Sequence, residues 1–280
     1  MIRQMDGIPF CKFSASANDF IVIDNRDERF SKDARDLARR ICARRYSVGA
    51  DGLILIQKSD RASVRVRYFN PDGQEFSTCG NGGRCAARFT HLSIVPDPKL
   101  TMETNVGVIE AEVTGNSIKL QFVRPSEIRL RIPVIMEGRE FVGHCVQLGD
   151  PHFVVPFENI RQIDFVPLAR RLRHHESFGA AGTNVHFVEW KSRRLLKIRS
   201  FEKGVEDETL ACGSGCVASA VSTFQDNQTD PPIRFEPHSG IPLIVHFQPE
   251  NHFEDVYLEG DARLVYRGEF TQEALSGFPL

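Results

Sequence analysis

The turn Cys79-Gly80-Asn81-Gly82 comes back along the chain as Cys212-Gly213-Ser214-Gly215, and its return is part of a longer self-match. Leu37-Ala38-Arg39-Arg40 recurs as Leu168-Ala169-Arg170-Arg171. Asn18-Asp19-Phe20-Ile21-Val22 parallels Asp150-Pro151-His152-Phe153-Val154, and Gly49-Ala50-Asp51 parallels Gly182-Thr183-Asn184. The offsets stay between 131 and 133 residues and keep their order. Collinear self-similarity of this kind marks a duplicated unit, so the fold of one half should be the fold of the other. At 280 residues there is room for two domains of ordinary size.

Each half reads alike. KDARDLARRICARR and VPLARRLRHH carry apolar residues at helical spacing, whereas LILIQ, VRVRYF, VHFVEW and LLKIRSF read as strands. After the last of these strands comes a polar loop, then the cysteine, then a glycine-started, Ala-rich run, which puts Cys79 and Cys212 at helix starts. VGVIEAEVTGNSIKLQF and IPLIVHFQPENHFEDVYLEG alternate and turn like antiparallel hairpins. The expectation is an α+β fold of two pseudo-symmetric domains, each a mainly antiparallel β-sheet wrapped around a central helix. A boundary near RPSEIRLRIP gives domains 1–125 with 268–280, and 126–267.

Composition narrows the partners. Charged residues are 26% and hydrophobic ones 41%, with a formal net charge of -2 and scattered Lys and Arg, so neither a nucleic acid nor a membrane surface is expected. No apolar run approaches the roughly 20 residues of a membrane span, and the first residues lack a signal-peptide core, which points to the cytoplasm. Seven cysteines is an odd count without disulfide-scaffold density. Cys11, Cys42, Cys85, Cys145 and Cys216 read as small buried residues, and His174-His175 as a solvated helix end. The cysteine spacings are not those of a structural zinc site. No phosphate-binding fingerprint follows a strand and no lysine stands out for PLP, so no cofactor or metal is expected and the partner is a small molecule.

A thiolate is the useful form of a cysteine base, and the partial positive charge at a helix N-terminus is expected to lower the pKa of both Cys79 and Cys212. The glycines beside them leave backbone N–H groups free to hold a carboxylate. Packing of two similar domains about a pseudo-twofold axis would bring the two loops to one cleft. A carbon held between two thiols could lose a proton on one side and gain one on the other, inverting its configuration.

SANDFIVID, VGADG, YFNPDGQEFSTCGNGGRCAARF, GDPHFVV, GTNVHFV and SFEKGVEDETLACGSG together resemble the diaminopimelate epimerase family over nearly the whole chain. The resemblance implies a cofactor-independent isomerase of lysine and peptidoglycan precursor synthesis, with homodimers as its suggested assembly. It implies that Cys79 and Cys212 are the acid/base thiols, and that the amides of Gly80, Asn81, Gly213 and Ser214 hold the reacting carboxylate. His152 and Glu202 fall near the reacting centre, and Asn18, Asn70 and Asn184 on substrate-binding asparagines. Structural alternatives are a strand-capping His152 and a surface pair of Glu202 with Lys203.

Asp150 and Lys203 stand where the family usually has Asn and Arg. A carboxylate at 150 would repel a distal substrate carboxylate unless turned away, and Lys203 keeps the charge without the two-pronged grip. Two other readings stay open. One is a related racemase of histidine, proline or hydroxyproline; the other is an amino-acid-binding or thiol redox protein without turnover.

Overall fold

The computed structural model describes residues 7–30, 32–77, 79–248, 250 and 253–275. The opening six residues, and residues 276–280 of the expected C-terminal return, lie outside the described residues. The chain divides into two compact units. One runs to Leu120 and resumes at Asp261; the other is Gln121–Gly260.

The first unit begins with β1 (Ile8–Ala15), β2 (Asn18–Asp24), α1 (Ala34–Cys42), β3 (Gly52–Gln57), β4 (Val64–Phe69) and β5 (Glu75–Phe76). It continues through α2 (Gly80–Ser93), β6 (Lys99–Thr104), β7 (Gly107–Thr114) and β8 (Ser117–Gln121). Neighbouring strands are antiparallel except β2 with β3 and β4 with β6. Parallel neighbours need a long crossover, and α1 and α2 are those crossovers.

The second unit repeats this order with β9 (Glu127–Met136), β10 (Arg139–Leu148), β11 (Asp150–Pro156), α3 (Phe165–Arg173), β12 (Asn184–Ser192) and β13 (Leu195–Glu202). Then come β14 (Asp207–Thr209), α4 (Gly213–Gln225), β15 (Ile233–Glu236), β16 (Leu243–His246) and β17 (Tyr257–Asp261). Its parallel pairs are β11 with β12 and β13 with β15, again bridged by helices. β9 flanks β10 antiparallel. In the first unit the equivalent flank of β1 is filled by β18 (Arg263–Phe270), returning from the end of the chain, before a short α5 (Gln272–Leu275).

The sequence explains the layering. Leu53 to Ile56 are apolar without a break because β3 is buried on both faces. Ile54 and Ile56 pack in the cluster around α2, while Leu53 and Leu55 pack against α1. The outer helices are amphipathic: α1 buries Ala34, Leu37, Ala38 and Ile41, and α3 buries Phe165, Ala169 and Leu172. The inner helices are buried nearly all round. Their small residues, Cys85, Ala86 and Ala87 in α2 and Cys216, Ala218 and Ala220 in α4, let the sheet close on them.

None of the seven cysteines forms a disulfide, and Cys11, Cys42, Cys85, Cys145 and Cys216 are buried. His174 closes α3 and is exposed. No helix among the described residues is long and apolar enough to cross a membrane.

Candidate active site

Cys79 is the N-cap of α2 and Cys212 the N-cap of α4. In each case the sulfur accepts the N–H of the third helical residue, Gly82 to Cys79 Sγ and Gly215 to Cys212 Sγ, both at 3.3 Å. The first amides of a helix have no intrahelical acceptor. Gly80 and Asn81 in one unit, and Gly213 and Ser214 in the other, are therefore placed to receive an anion beside the sulfur.

Around Cys79 the supporting groups form a chain. Asn18 opens β2 and donates through Nδ2 to Asp51 at 2.8 Å, while its Oδ1 accepts from Asn81 Nδ2 at 3.3 Å. Arg84 donates to Asn81 Oδ1 at 2.8 Å and to Ser16 Oγ at 2.9 Å, and this guanidinium is fully buried. Asn70 is exposed at the turn after β4, where its carbonyl accepts from Gly73.

The surroundings of Cys212 differ. Ser214 Oγ lies 3.3 Å from its sulfur, and Glu202 accepts from Thr209 Oγ1 at 2.5 Å while also bonding the thiol. Burial pushes the Cys212 thiol well above its ordinary pKa, and the Glu202 charge adds to this against the lowering hydrogen bonds of Ser214 and Gly215. The expectation that the helix end lowers this thiol is thus corrected: desolvation by burial outweighs the partial charge of the helix. Burial likewise raises Glu202.

Asp150 and Lys203, the two departures, form an ion pair at 2.7 Å. Each neutralises the other, so the aspartate does not face a ligand unaccompanied. Lys203 therefore pairs with Asp150 rather than with Glu202, whose carboxylate turns to Thr209 and the thiol. Asn184 holds this segment by accepting the Lys203 N–H at 2.8 Å and donating to the Pro151 carbonyl at 3.2 Å.

His152 does not cap a strand. It is buried, with Nδ1 2.8 Å from His186 Nε2, and burial lowers its pKa to about 4. His186 continues to Ser200 Oγ at 2.9 Å. Sequence reading missed His186, Ser200, Thr209 and Arg84. Arg84 sits within the quoted cysteine motif and could have been flagged there, whereas His186 and Ser200 lie inconspicuously within the strand patterns VHFVEW and LLKIRSF.

A family model described as diaminopimelate epimerase matches residues 10–124 and 144–265. The chain is 38% identical over 278 residues to the diaminopimelate epimerase of Aquifex aeolicus, covering 95% of this chain and 99% of that one. Against the diaminopimelate epimerase of Chlorobaculum tepidum it is 42% identical over 262 residues, covering 92% and 99%. Among solved structures, a Bacillus anthracis phenazine biosynthesis protein of the PhzF family matches with TM-score 0.68 at 16% identity, over 95% of this chain and 100% of that one. A hydroxyproline epimerase from Agrobacterium vitis matches with TM-score 0.67 at 16% identity, over 100% and 96%. Those two likenesses are of fold.

Proposed function

Because the chain belongs to the diaminopimelate epimerase family, we propose that it interconverts LL- and meso-diaminopimelate by moving a proton between Cys79 and Cys212. The observation that carries this reading is the matched pair of helix starts, each with a capping sulfur and two amides left open beside it. The amides of Gly80, Asn81, Gly213 and Ser214 hold the reacting carboxylate. They stabilise the charge that flows into it as the α-proton leaves, at no reorganisation cost.

Cys212, kept protonated by burial and by Glu202, is the proton donor in the resting protein, and the α-proton goes to Cys79. The thiols then exchange roles for the next turnover in the reverse sense. Glu202 holds the substrate ammonium and His152 stands beside the reacting centre, Asn18, Asn70 and Asn184 frame the side chain, and the Asp150–Lys203 pair borders the distal group. Acid and base are both thiols, so the chemistry calls on no cofactor.

The test is α-proton exchange in deuterated water with a panel of amino acids. Exchange is expected with diaminopimelate; exchange with proline or histidine instead would move the chain to a related racemase. Binding without exchange would favour a non-catalytic module. Cys79→Ala and Cys212→Ala should each lower turnover at least about 10²-fold in folded protein.

The reading requires both sulfurs to reach opposite faces of one α-carbon. Mild oxidation should then join Cys79 to Cys212 and silence the enzyme until a reductant is added. Inactive protein with both thiols free by mass spectrometry would argue against it. Thiol chemistry of this kind suits a reducing cytoplasm. The family's suggested homodimer is read by sedimentation.

A further inference from the structure

Beneath the first turn of α4 lies a buried polar chain, His152–His186–Ser200, that none of the roles above uses beyond its first member. Nδ1 of His152 is 2.8 Å from His186 Nε2, and Nδ1 of His186 is 2.9 Å from Ser200 Oγ. The two rings lie 25° from coplanar. The second histidine also touches the turn that carries the thiol. A Cβ at Gly215 would stand 2.3 Å from His186 Cε1, and it is the Gly215 N–H that donates to Cys212 Sγ.

The first unit shows that the fold does not need this chain. Phe20 is opposite Gly52 as His152 is opposite Asn184, and two residues further along the second strand stand Ile54 and His186. Across the next strand pair, Ile54 faces Tyr68 and His186 faces Ser200. Phe, Ile and Tyr therefore fill the places held by His, His and Ser. Gly82 rests on Tyr68 where Gly215 rests on His186. Burying two imidazoles where a phenyl ring and an aliphatic side chain suffice is unfavourable unless they are bonded and used.

Resting on the proposed reading of the site, we propose that His186, itself oriented by Ser200, is a positioning residue that fixes the proton of His152 on Nε2 and aims that N–H at the substrate. The reasoning is a count of protons. Burial keeps both imidazoles neutral, so each has one donor and one acceptor nitrogen. If the Ser200 hydroxyl donates to His186 Nδ1, His186 Nε2–H donates to His152 Nδ1, and the His152 proton lies on Nε2. The opposite direction would strand the Ser200 hydroxyl proton as well. In either direction His152 Nε2 is buried and without a partner among the described residues, which is the place left for a ligand atom.

The experiment uses the full chain labelled with ¹⁵N-histidine. The His152 resonances should report a single neutral tautomer with the proton on Nε2. Ser200→Ala and His186→Phe should each convert this to a mixture, Ser200→Ala serving if the larger change fails to fold. In kinetics His186→Phe should lower kcat/KM on the order of 10²-fold. His186→Gln, whose Nε2 can still donate to His152 Nδ1, should recover most of that loss.

Equal defects in the Gln and Phe variants, or a wild-type His152 protonated on Nδ1, would overturn the proposal. Should the wild-type protein exchange no amino acid, the functional reading falls while the tautomer measurement still decides the positioning role.

Discussion

Cys79 and Cys212 hold equivalent places in their helices and unlike places in their electrostatics. A buried guanidinium, Arg84, bonds the residues beside the first sulfur, whereas a carboxylate, Glu202, bonds the second directly. Glu202→Gln removes the charge that opposes a Cys212 thiolate. Alkylation of Cys212 by iodoacetamide should then begin at lower pH than in the wild type; an unchanged profile would mean that burial alone sets this thiol.

His152 bears on stability through its pKa of about 4, below the ordinary 6.5. Under pH 6.5 the unfolded chain binds the proton and the folded chain does not, so stability is present above 6.5 and is lost as pH falls toward 4. The loss is about 3 kcal/mol. His152→Gln should flatten this limb of the urea midpoint against pH.

The Asp150–Lys203 pair is exposed and contributes roughly 0–1 kcal/mol to stability, but its sign matters to a ligand. Lys203→Met should raise KM for a substrate with a distal carboxylate, and Asp150→Asn should not. The cysteines and the departures at 150 and 203 were legible because each is a change of chemistry at a marked place. The raised thiol was not, since burial is a tertiary property that no spacing reports.

At the scale of elements, α4 can approach His186 only because Gly215 lacks a side chain. Gly215→Ala should destabilise by about 1–3 kcal/mol through overpacking, read as a lower urea midpoint with unchanged m-value. Activity should fall with it, because the same residue donates to the sulfur. Helices over 34–42 and 165–173 and the strands at 52–57 and 195–202 are written in the apolar periodicity. The starts of α2 and α4 are written in the cysteine-glycine turns. The run VHFVEW reads as a strand and is one, but its alternation gives no sign that the inward histidine takes part in a polar chain. That depends on His152 and Ser200 arriving from two other strands.

For the whole molecule, duplication gives each unit the same order of strands, but the flank of β1 is supplied by β18 from the far end of the chain. Removing residues 263–280 should therefore strip hydrogen-exchange protection from the amides of β1 while leaving those of α4 protected. Equal loss in both would show that the two units share their stability.

This closure has a bearing on biosynthesis. A chain emerging from the ribosome has every strand of Gln121–Gly260 in hand before the last piece of the earlier unit has been translated. The later-made half is the first that can mature, and the half bearing Cys79 must wait, one sheet edge open, for the final strand to be released.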